Sequence, residues 1–203
     1  MSDDFEEILA PNLYYDRYFD IDAVKILPGE YYVSSRNLLM VTVLGSCVGA
    51  CVRDRVSGIG GINHFMLPDD RRNEDQRVGS AMRYGDYAME ILINQLLKLG
   101  ARRERLEAKV FGGGNVLPGF SHNVVGERNA QFVTDYLGVE GIPVVSRDLL
   151  GSYPRKVYFF PADGRVLVKK LRSLHNDTIV QRERSYQAKL RQSRVEGDVE
   201  LFR

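Results

Sequence analysis

A chain of 203 residues is long enough to bury a complete hydrophobic core and suits one domain with short extensions. Its 28 Lys and Arg balance 27 Asp and Glu, so no charge excess indicates nucleic acid or an anionic membrane as the partner. The longest apolar stretch, residues 38–52, contains polar residues and is too short to cross a bilayer, so we expect no membrane insertion. The acidic amino terminus lacks the layout of a secretory signal, and we therefore expect a cytoplasmic protein.

Composition divides the chain into three parts. We expect an N-terminal extension over residues 1–22, a single α/β domain over residues 23–174, and a C-terminal tail over residues 175–203. The tail is predicted to be either a solvated helix or disordered, because its charges are scattered without a clear packed face. Its run RERSYQAKLRQSR is interpreted as a solvated surface, with a partner-binding helix as the alternative.

The first half of the domain predicts strands around one short helix. The segments EYYVSS and LLMVTVLGS are rich in aromatic and β-branched residues, which favours strands. Ser46 is a good N-cap, so CVGACVRD is predicted as a short helix with Cys47 in its first turn. IGGINHFML predicts the next strand, and PDDRRNEDQRVG predicts a charged loop of a length that often covers a site.

The second half alternates helices and strands. Residues 80–99 place apolar side chains at three- and four-residue spacing, which predicts a long amphipathic helix that ends at Gly100. LEAKVF predicts a strand that runs into GGGN, a tight strand exit without the spacing of a nucleotide-binding loop. Residues 127–137 predict a helix, IPVVS a strand, and RKVYFF with RVLVKKL a hairpin across PADG. This interleaving with hairpins predicts an α/β fold with a mixed sheet.

Cys47 and His64 are the candidate catalytic pair. A cysteine in the first turn of a helix lies among unpaired N–H groups, which favour the thiolate and can stabilise an oxyanion. Gly45 would let a substrate approach closely. His64, on the next strand, is the residue type that exchanges protons near neutral pH, and the hydroxyl of Thr42 can accept its other ring N–H and fix the tautomer.

Two other interpretations stay open at this point. A lone Cys is more often a small core residue, and a lone His is often only hydrogen-bonded filler. A metal site would join Cys47, Cys51 and His64, but these do not reach four ligands, so we expect neither a metal nor a cofactor. Cys51 is typical of a buried structural residue, and both cysteines are expected to be free thiols. His122 and His175 are expected at the surface.

Several separated motifs occur in one order along residues 25–171: TVLGSCVGACVRD, SGIGGINHFMLP, VFGGGNVL, GERNAQFV and PRKVYFFPADGRVLVKKL. In this order they closely resemble the chemoreceptor glutamine deamidase family, CheD. The resemblance implies a three-layer α/β sandwich with a mixed sheet. It also implies a catalytic set of Cys47, His64 and Thr42.

The resemblance further implies a reaction. The Cys47 thiolate would attack the side-chain amide of a glutamine, and His64 would protonate the departing ammonia and then activate water to hydrolyse the thioester. The implied target is the cytoplasmic helical bundle of methyl-accepting chemoreceptors, and some members also hydrolyse receptor methyl esters. One alternative is a regulatory partner of a CheC-type phosphatase, with catalysis secondary. Another is an acyl transferase or thiol protease that uses the same residues.

Overall fold

The computed structural model describes residues 12–68, 74–116, 124–171 and 176–192. The strands in these segments are, in chain order, β1 (Leu13–Asp16), β2 (Ile21–Lys25), β3 (Tyr31–Ser34), β4 (Leu39–Leu44), β5 (Val48–Asp54), β6 (Gly60–Asn63), β7 (Leu106–Gly112), β8 (Val144–Leu149), β9 (Arg155–Phe160) and β10 (Arg165–Lys170). The helices are α1 (Glu74–Lys98), α2 (Val124–Val139) and α3 (Asn176–Gln192), with a 3-10 turn at Arg103–Arg105. Within these segments, no helix has both the length and the apolar character that a membrane span requires.

The strands divide between two mixed sheets of five strands each, where the sequence predicts a single mixed sheet. The first sheet has the order β1-β2-β4-β9-β10, in which β2 and β4 run parallel. The second has the order β3-β6-β5-β7-β8, in which β7 and β8 run parallel. Both contain parallel and antiparallel neighbours, so the predicted mixed α/β class is confirmed.

Two apolar clusters hold the layers together. Between the sheets, Met40 and Phe159 of the first sheet share a cluster with Ile62 and Phe111 of the second. On the other face of the second sheet, the strand valines pack against apolar residues of α1 and α2, such as Leu92. Each fully buried aliphatic or aromatic side chain contributes roughly 1.5–3 kcal/mol relative to exposure, so these clusters fix the spacing of the two sheets.

The prediction of a helix at CVGACVRD is wrong, because Val48–Asp54 forms β5 in the second sheet. This strand pairs with β6 on one side and with β7 on the other, and all of its residues except Arg53 are buried. A strand that is buried on both faces lacks the period-two alternation of a half-exposed strand. The helical prediction rested on Ser46 as an N-cap, and tertiary packing of the strand on both faces overrides that local signal.

The start of helix α1 differs from the one predicted. The helix α1 begins at Glu74, so the second half of the predicted charged loop is helical, while residues 69–73 lie outside the described part. The boundary expected at residue 22 falls within β2, and β1 and β2 pair with each other at the edge of the first sheet. Aromatic and β-branched residues of the extension thus add strands to this sheet.

The C-terminal segment forms a helix, which is one of the two predicted alternatives. Helix α3 buries Glu183 and Leu190 against the rest of the chain. The interpretation of RERSYQAKLRQSR as a wholly solvated surface is therefore wrong for one face of this helix. Residues spaced by three, four or seven positions share a helix face, so this burial defines a docked side and a solvent side.

Candidate active site

Cys47 lies in the turn of residues 45–47, which carries the chain from β4 in the first sheet to β5 in the second. Glycines at the end of β7 support this turn. The Gly113 N–H donates to the Cys47 carbonyl at 2.8 Å, and a Cβ on Gly112 would lie 2.1 Å from the same carbonyl oxygen. The GGGN sequence therefore provides the close backbone packing predicted for it.

A second support for the turn is Asn129, a fully buried side chain on α2. Its Nδ2 donates to the Ser46 carbonyl at 2.8 Å, and its Oδ1 accepts the N–H of Leu67 at 2.9 Å. Asn129 thus ties the turn to the segment that follows β6. Our sequence analysis missed this residue, and the available signal was a polar side chain at the apolar spacing set by Val125 and Val133.

Cys47 and His64 occupy one face of the second sheet. Val48 and Phe65 form an antiparallel bridge with N–H to oxygen distances of 2.9 and 3.0 Å. Cys47 and His64 each come one residue before a bridged residue, which makes them diagonal neighbours on the same face. Such neighbours have Cα atoms about 7–8 Å apart, a distance that an imidazole side chain can span.

The Thr42 hydroxyl fixes the tautomer of His64. It donates its one proton to the Ile26 carbonyl at 2.8 Å, and its oxygen also lies 2.8 Å from His64 Nδ1. Because the hydroxyl proton is already used, Nδ1 must carry the hydrogen of the second contact. Nε2 therefore bears the lone pair, and it has no hydrogen-bond partner among the residues that the structure describes. This nitrogen can accept a proton.

Burial shifts both titratable groups toward their neutral forms. It lowers the pKa of His64 to about 3, which the nearby Ile26 carbonyl only partly offsets. Burial also raises the pKa of the Cys47 thiol, and the Glu183 carboxylate raises it further. Both shifts favour a thiol and a neutral imidazole over a thiolate and an imidazolium, so a helix N-terminus is not what sets the charge of Cys47 in this structure.

The carboxylate of Glu183, on α3, fills the space in front of the turn. Its Oε1 accepts the N–H of Gly45 at 3.1 Å and that of Cys47 at 3.3 Å, while its Oε2 accepts the Ser46 hydroxyl at 2.7 Å. The Cys47 thiol also lies close enough to this carboxylate for the negative charge to raise its pKa. Gly45 permits this approach, because a Cβ there would lie 2.5 Å from Oε1. The N–H groups of the turn thus replace the expected helix N-terminus as donors to one oxygen.

A cavity of about 430 Å³ lies beside the histidine. Thr42, His64 and Glu183 all line it, together with the basic side chains of Lys25 and Lys156. A volume of this size holds several water molecules and falls within the range of small-molecule sites. The cavity therefore gives water access to the neighbourhood of His64.

The other sequence-predicted residues fall in different places. Cys51 lies on β5, where it is buried and where burial raises the pKa of its thiol. Cys47 and Cys51 are both free thiols. No group of three metal-binding side chains is found in the described segments, and His122 and His175 lie outside them.

Comparison with known proteins places this chain in a family. Residues 66–170 match the model described as CheD chemotactic sensory transduction. The chain is also 63% identical over 202 residues to the probable chemoreceptor glutamine deamidase CheD of Janthinobacterium sp. (strain Marseille), and the match covers 100% of both chains. The chain belongs to the CheD family. A protein of the same name from Thiobacillus denitrificans is also 63% identical over 202 residues, again with 100% of both chains covered.

The CheD family model and the full-length relatives cover different parts of the site. The family model begins at residue 66, after His64, and ends at residue 170, before α3. The probable chemoreceptor glutamine deamidase CheD of Methylobacillus flagellatus, 60% identical over 203 residues, covers 100% of both chains. The similarity to CheD proteins therefore includes both the Cys47 turn and the helix that carries Glu183.

Proposed function

We propose that this chain is a protein-glutamine deamidase that converts glutamine side chains of chemoreceptors to glutamate and releases ammonia. Full-length relatives named as probable chemoreceptor glutamine deamidases support the reaction class. The observation that carries the proposal is the Thr42–His64 hydrogen bond. It leaves a buried imidazole nitrogen, without a partner in the described part of the chain, on the sheet face that also bears Cys47.

The first half of the reaction forms a thioester. The Cys47 sulfur attacks the amide carbon of the target glutamine, while the thiol proton passes to His64 Nε2. The amide oxygen becomes negative and accepts hydrogen bonds from the N–H groups of Gly45 and Cys47. His64 then gives its proton to the nitrogen, the carbon–nitrogen bond breaks, and ammonia leaves. Because the sulfur and the ring start neutral, proton transfer must accompany the attack.

The second half hydrolyses the thioester. Water from the cavity beside His64 loses a proton to Nε2, and its oxygen attacks the thioester carbon. The carbon–sulfur bond breaks, and the proton returns to the Cys47 sulfur. Thr42 keeps the ring in the required tautomer throughout, because its oxygen holds the Nδ1 hydrogen. The net change is addition of water and loss of ammonia.

The proposed target is the cytoplasmic helical bundle of methyl-accepting chemoreceptors. Conversion of an amide to a carboxylate adds negative charge to packed helices, and it shifts a signalling equilibrium only through its different effect on the two states. We place the reaction in the cytoplasm, where free thiols such as Cys47 and Cys51 persist. The helix, sheet and sheet layers correspond to the three-layer sandwich that we propose for the fold.

Mass spectrometry of a purified receptor cytoplasmic fragment tests this proposal. After incubation with the protein, we expect specific glutamines of the fragment to become glutamate, with one ammonia released for each. Cys47→Ala should abolish both changes, and Cys51→Ala should retain them, because Cys51 is assigned a structural role.

The products also distinguish the alternatives. Cleavage of the fragment would identify a thiol protease, and transfer of the glutamyl group to an amine would identify an acyl transferase. Conversion at the wild-type rate by Cys47→Ala would contradict the proposed mechanism. If neither glutamate nor ammonia formed, a regulatory partner of a CheC-type phosphatase would become the better account.

A further inference from the structure

The two oxygens of the Glu183 carboxylate occupy different environments. Oε1 lies between two backbone N–H donors of the turn, at 3.1 and 3.3 Å, which is the arrangement that stabilises an oxyanion. Oε2 faces the Ser46 hydroxyl at 2.7 Å. In a bound glutamine, the amide oxygen would take the first position and the amide nitrogen the second, where Ser46 could accept an N–H. The Glu183 carboxylate therefore occupies the position that the side-chain carboxylate of a glutamate product would occupy.

The rest of the docked face of α3 fits a groove on the domain. Tyr186, three residues after Glu183, contacts the Tyr84 hydroxyl and lies over Gly29, where a Cβ would be 2.9 Å from the tyrosine ring. Leu190, seven residues after Glu183, belongs to the cluster between the sheets. Positions separated by three and seven residues lie on one side of a helix. The groove thus accepts an α-helix that delivers one carboxyl side chain to Cys47.

We propose that α3 is an intramolecular product analogue, which occupies the groove where the target's glutamine-bearing helix binds and places Glu183 in the acyl position. This inference rests on the proposed deamidase function for the chemistry of the site. The occupied groove is also a resting state, since a target side chain cannot reach the sulfur while Glu183 contacts the turn. The negative charge of Glu183 raises the pKa of Cys47, so release of α3 also removes this charge from beside the nucleophile.

The variant Glu183→Gln tests the inference directly, because it places a carboxamide in the acyl position. The Cys47 sulfur would bond to the side-chain carbon of the introduced glutamine, which releases ammonia. Water would then cleave the carbon–sulfur bond and leave glutamate at position 183. We expect this conversion to be independent of protein concentration, since the reacting groups belong to one chain. Peptide mass spectrometry of the purified variant gives the readout.

The helix provides its own controls. Gln181 and Gln187 also lie on α3 near the site, and Gln181 is exposed. The proposal places only position 183 at the Cys47 turn, so both of these residues should remain glutamine in the same sample. The double variant Cys47→Ala with Glu183→Gln should retain glutamine at position 183. Spontaneous deamidation would proceed equally in this double variant, and that result would overturn the inference.

Alkylation of Cys47 by iodoacetamide measures occupancy of the groove without any turnover. Glu183→Ala removes the carboxylate that contacts the turn, and we expect the alkylation rate of Cys47 to rise at least about tenfold. Ser185→Ala, an exposed position on the same helix, is the matched control and should react at the wild-type rate.

The outcomes separate this inference from the deamidase function. If the receptor fragment is deamidated, while Glu183→Gln keeps its introduced amide and Cys47 reactivity is unchanged by Glu183→Ala, then the inference is wrong and the function stands. If Glu183→Ala accelerates alkylation but neither the introduced glutamine nor the receptor is deamidated, then α3 covers Cys47 and the proposed function is wrong.

Discussion

The Thr42 side chain selects which nitrogen of His64 accepts protons, through a hydroxyl that is shared between Ile26 and the ring. Replacement by valine keeps the shape of the side chain and removes the hydroxyl. The ring then loses the acceptor that holds the Nδ1 hydrogen, so more molecules adopt the wrong tautomer. We expect kcat for deamidation to fall about tenfold or more, which is part of the roughly 10²–10⁴-fold that general acid–base catalysis contributes, with little change in KM.

Thr42→Ser is the matched control, because it keeps the hydroxyl and should retain most of the activity. Nitrogen NMR chemical shifts of the His64 ring report the tautomer independently of turnover. Wild-type kcat in Thr42→Val, with the ring still protonated on Nδ1, would contradict the orienting role of Thr42.

At the scale of single residues, sequence reasoning proposed Cys47, His64 and Thr42, because their chemical types are distinctive. The predicted contact between the Thr42 hydroxyl and the His64 ring is present in the structure. Sequence reasoning missed Glu183, whose carboxylate accepts the Cys47 N–H although the two residues are 136 positions apart in the sequence. In the sequence, Glu183 stands in a charged run that resembles an ordinary solvated surface. Only tertiary docking of α3 reveals that one of these charges is buried, and no local pattern encodes that contact.

The turn between β4 and β5 depends on the glycines that end β7. Gly112 has φ +109°, a conformation that favours glycine, and its Cα faces the Cys47 carbonyl. In Gly112→Ala, the new Cβ would clash with the Cys47 carbonyl oxygen. The positive φ would also strain the alanine backbone, and this strain alone costs about 1–3 kcal/mol. We therefore expect a loss of stability of at least this size in urea unfolding, together with a loss of deamidation by the protein that remains folded.

Gly138→Ala is the control for this substitution. Gly138 lies on α2, where a Cβ would have no described atom within 4 Å, and alanine favours helices, so we expect a gain of about 0.5–1 kcal/mol. Equal effects of the two alanines would contradict the supporting role of Gly112.

Helices and strands were predicted well where only one face of the element is buried. The hairpin of β9 and β10 and the amphipathic helix α1 follow directly from alternation and from helical spacing. The strand β5 was not predicted, because both of its faces are buried and its residues are small. The division of the strands between two sheets was not predicted either, since strand patterns do not say which strands pair across long separations.

For the whole molecule, burial of His64 makes stability depend on pH. The pKa of His64 is about 3 in the folded protein, below its ordinary value of 6.5, so the unfolded chain takes up this proton first. Above about pH 6.5, His64 is neutral in both the folded and the unfolded protein, so its titration leaves the free energy of unfolding unchanged. As the pH falls from about 6.5 toward about 3, the free energy of unfolding decreases by up to about 1.4 kcal/mol per pH unit.

Urea unfolding of wild type and of His64→Gln, from about pH 7 to about pH 4, isolates this contribution. Burial raises the pKa of the Glu183 carboxyl, which acts in the opposite direction in the same range, so the difference between the two proteins is the informative quantity. We expect the wild type to lose more stability than the variant on acidification. Parallel pH profiles would show that His64 is not held neutral by the fold.

The central claim is that the Cys47 sulfur forms a covalent bond to the target side chain. Acid quenching of the protein during turnover of a receptor-derived glutamine peptide, followed by mass spectrometry, tests this most directly. We predict an adduct with the mass of the peptide minus ammonia, located on Cys47 and absent from Cys47→Ala. Deamidation that continued at the wild-type rate in Cys47→Ala, with no adduct in either protein, would contradict the account.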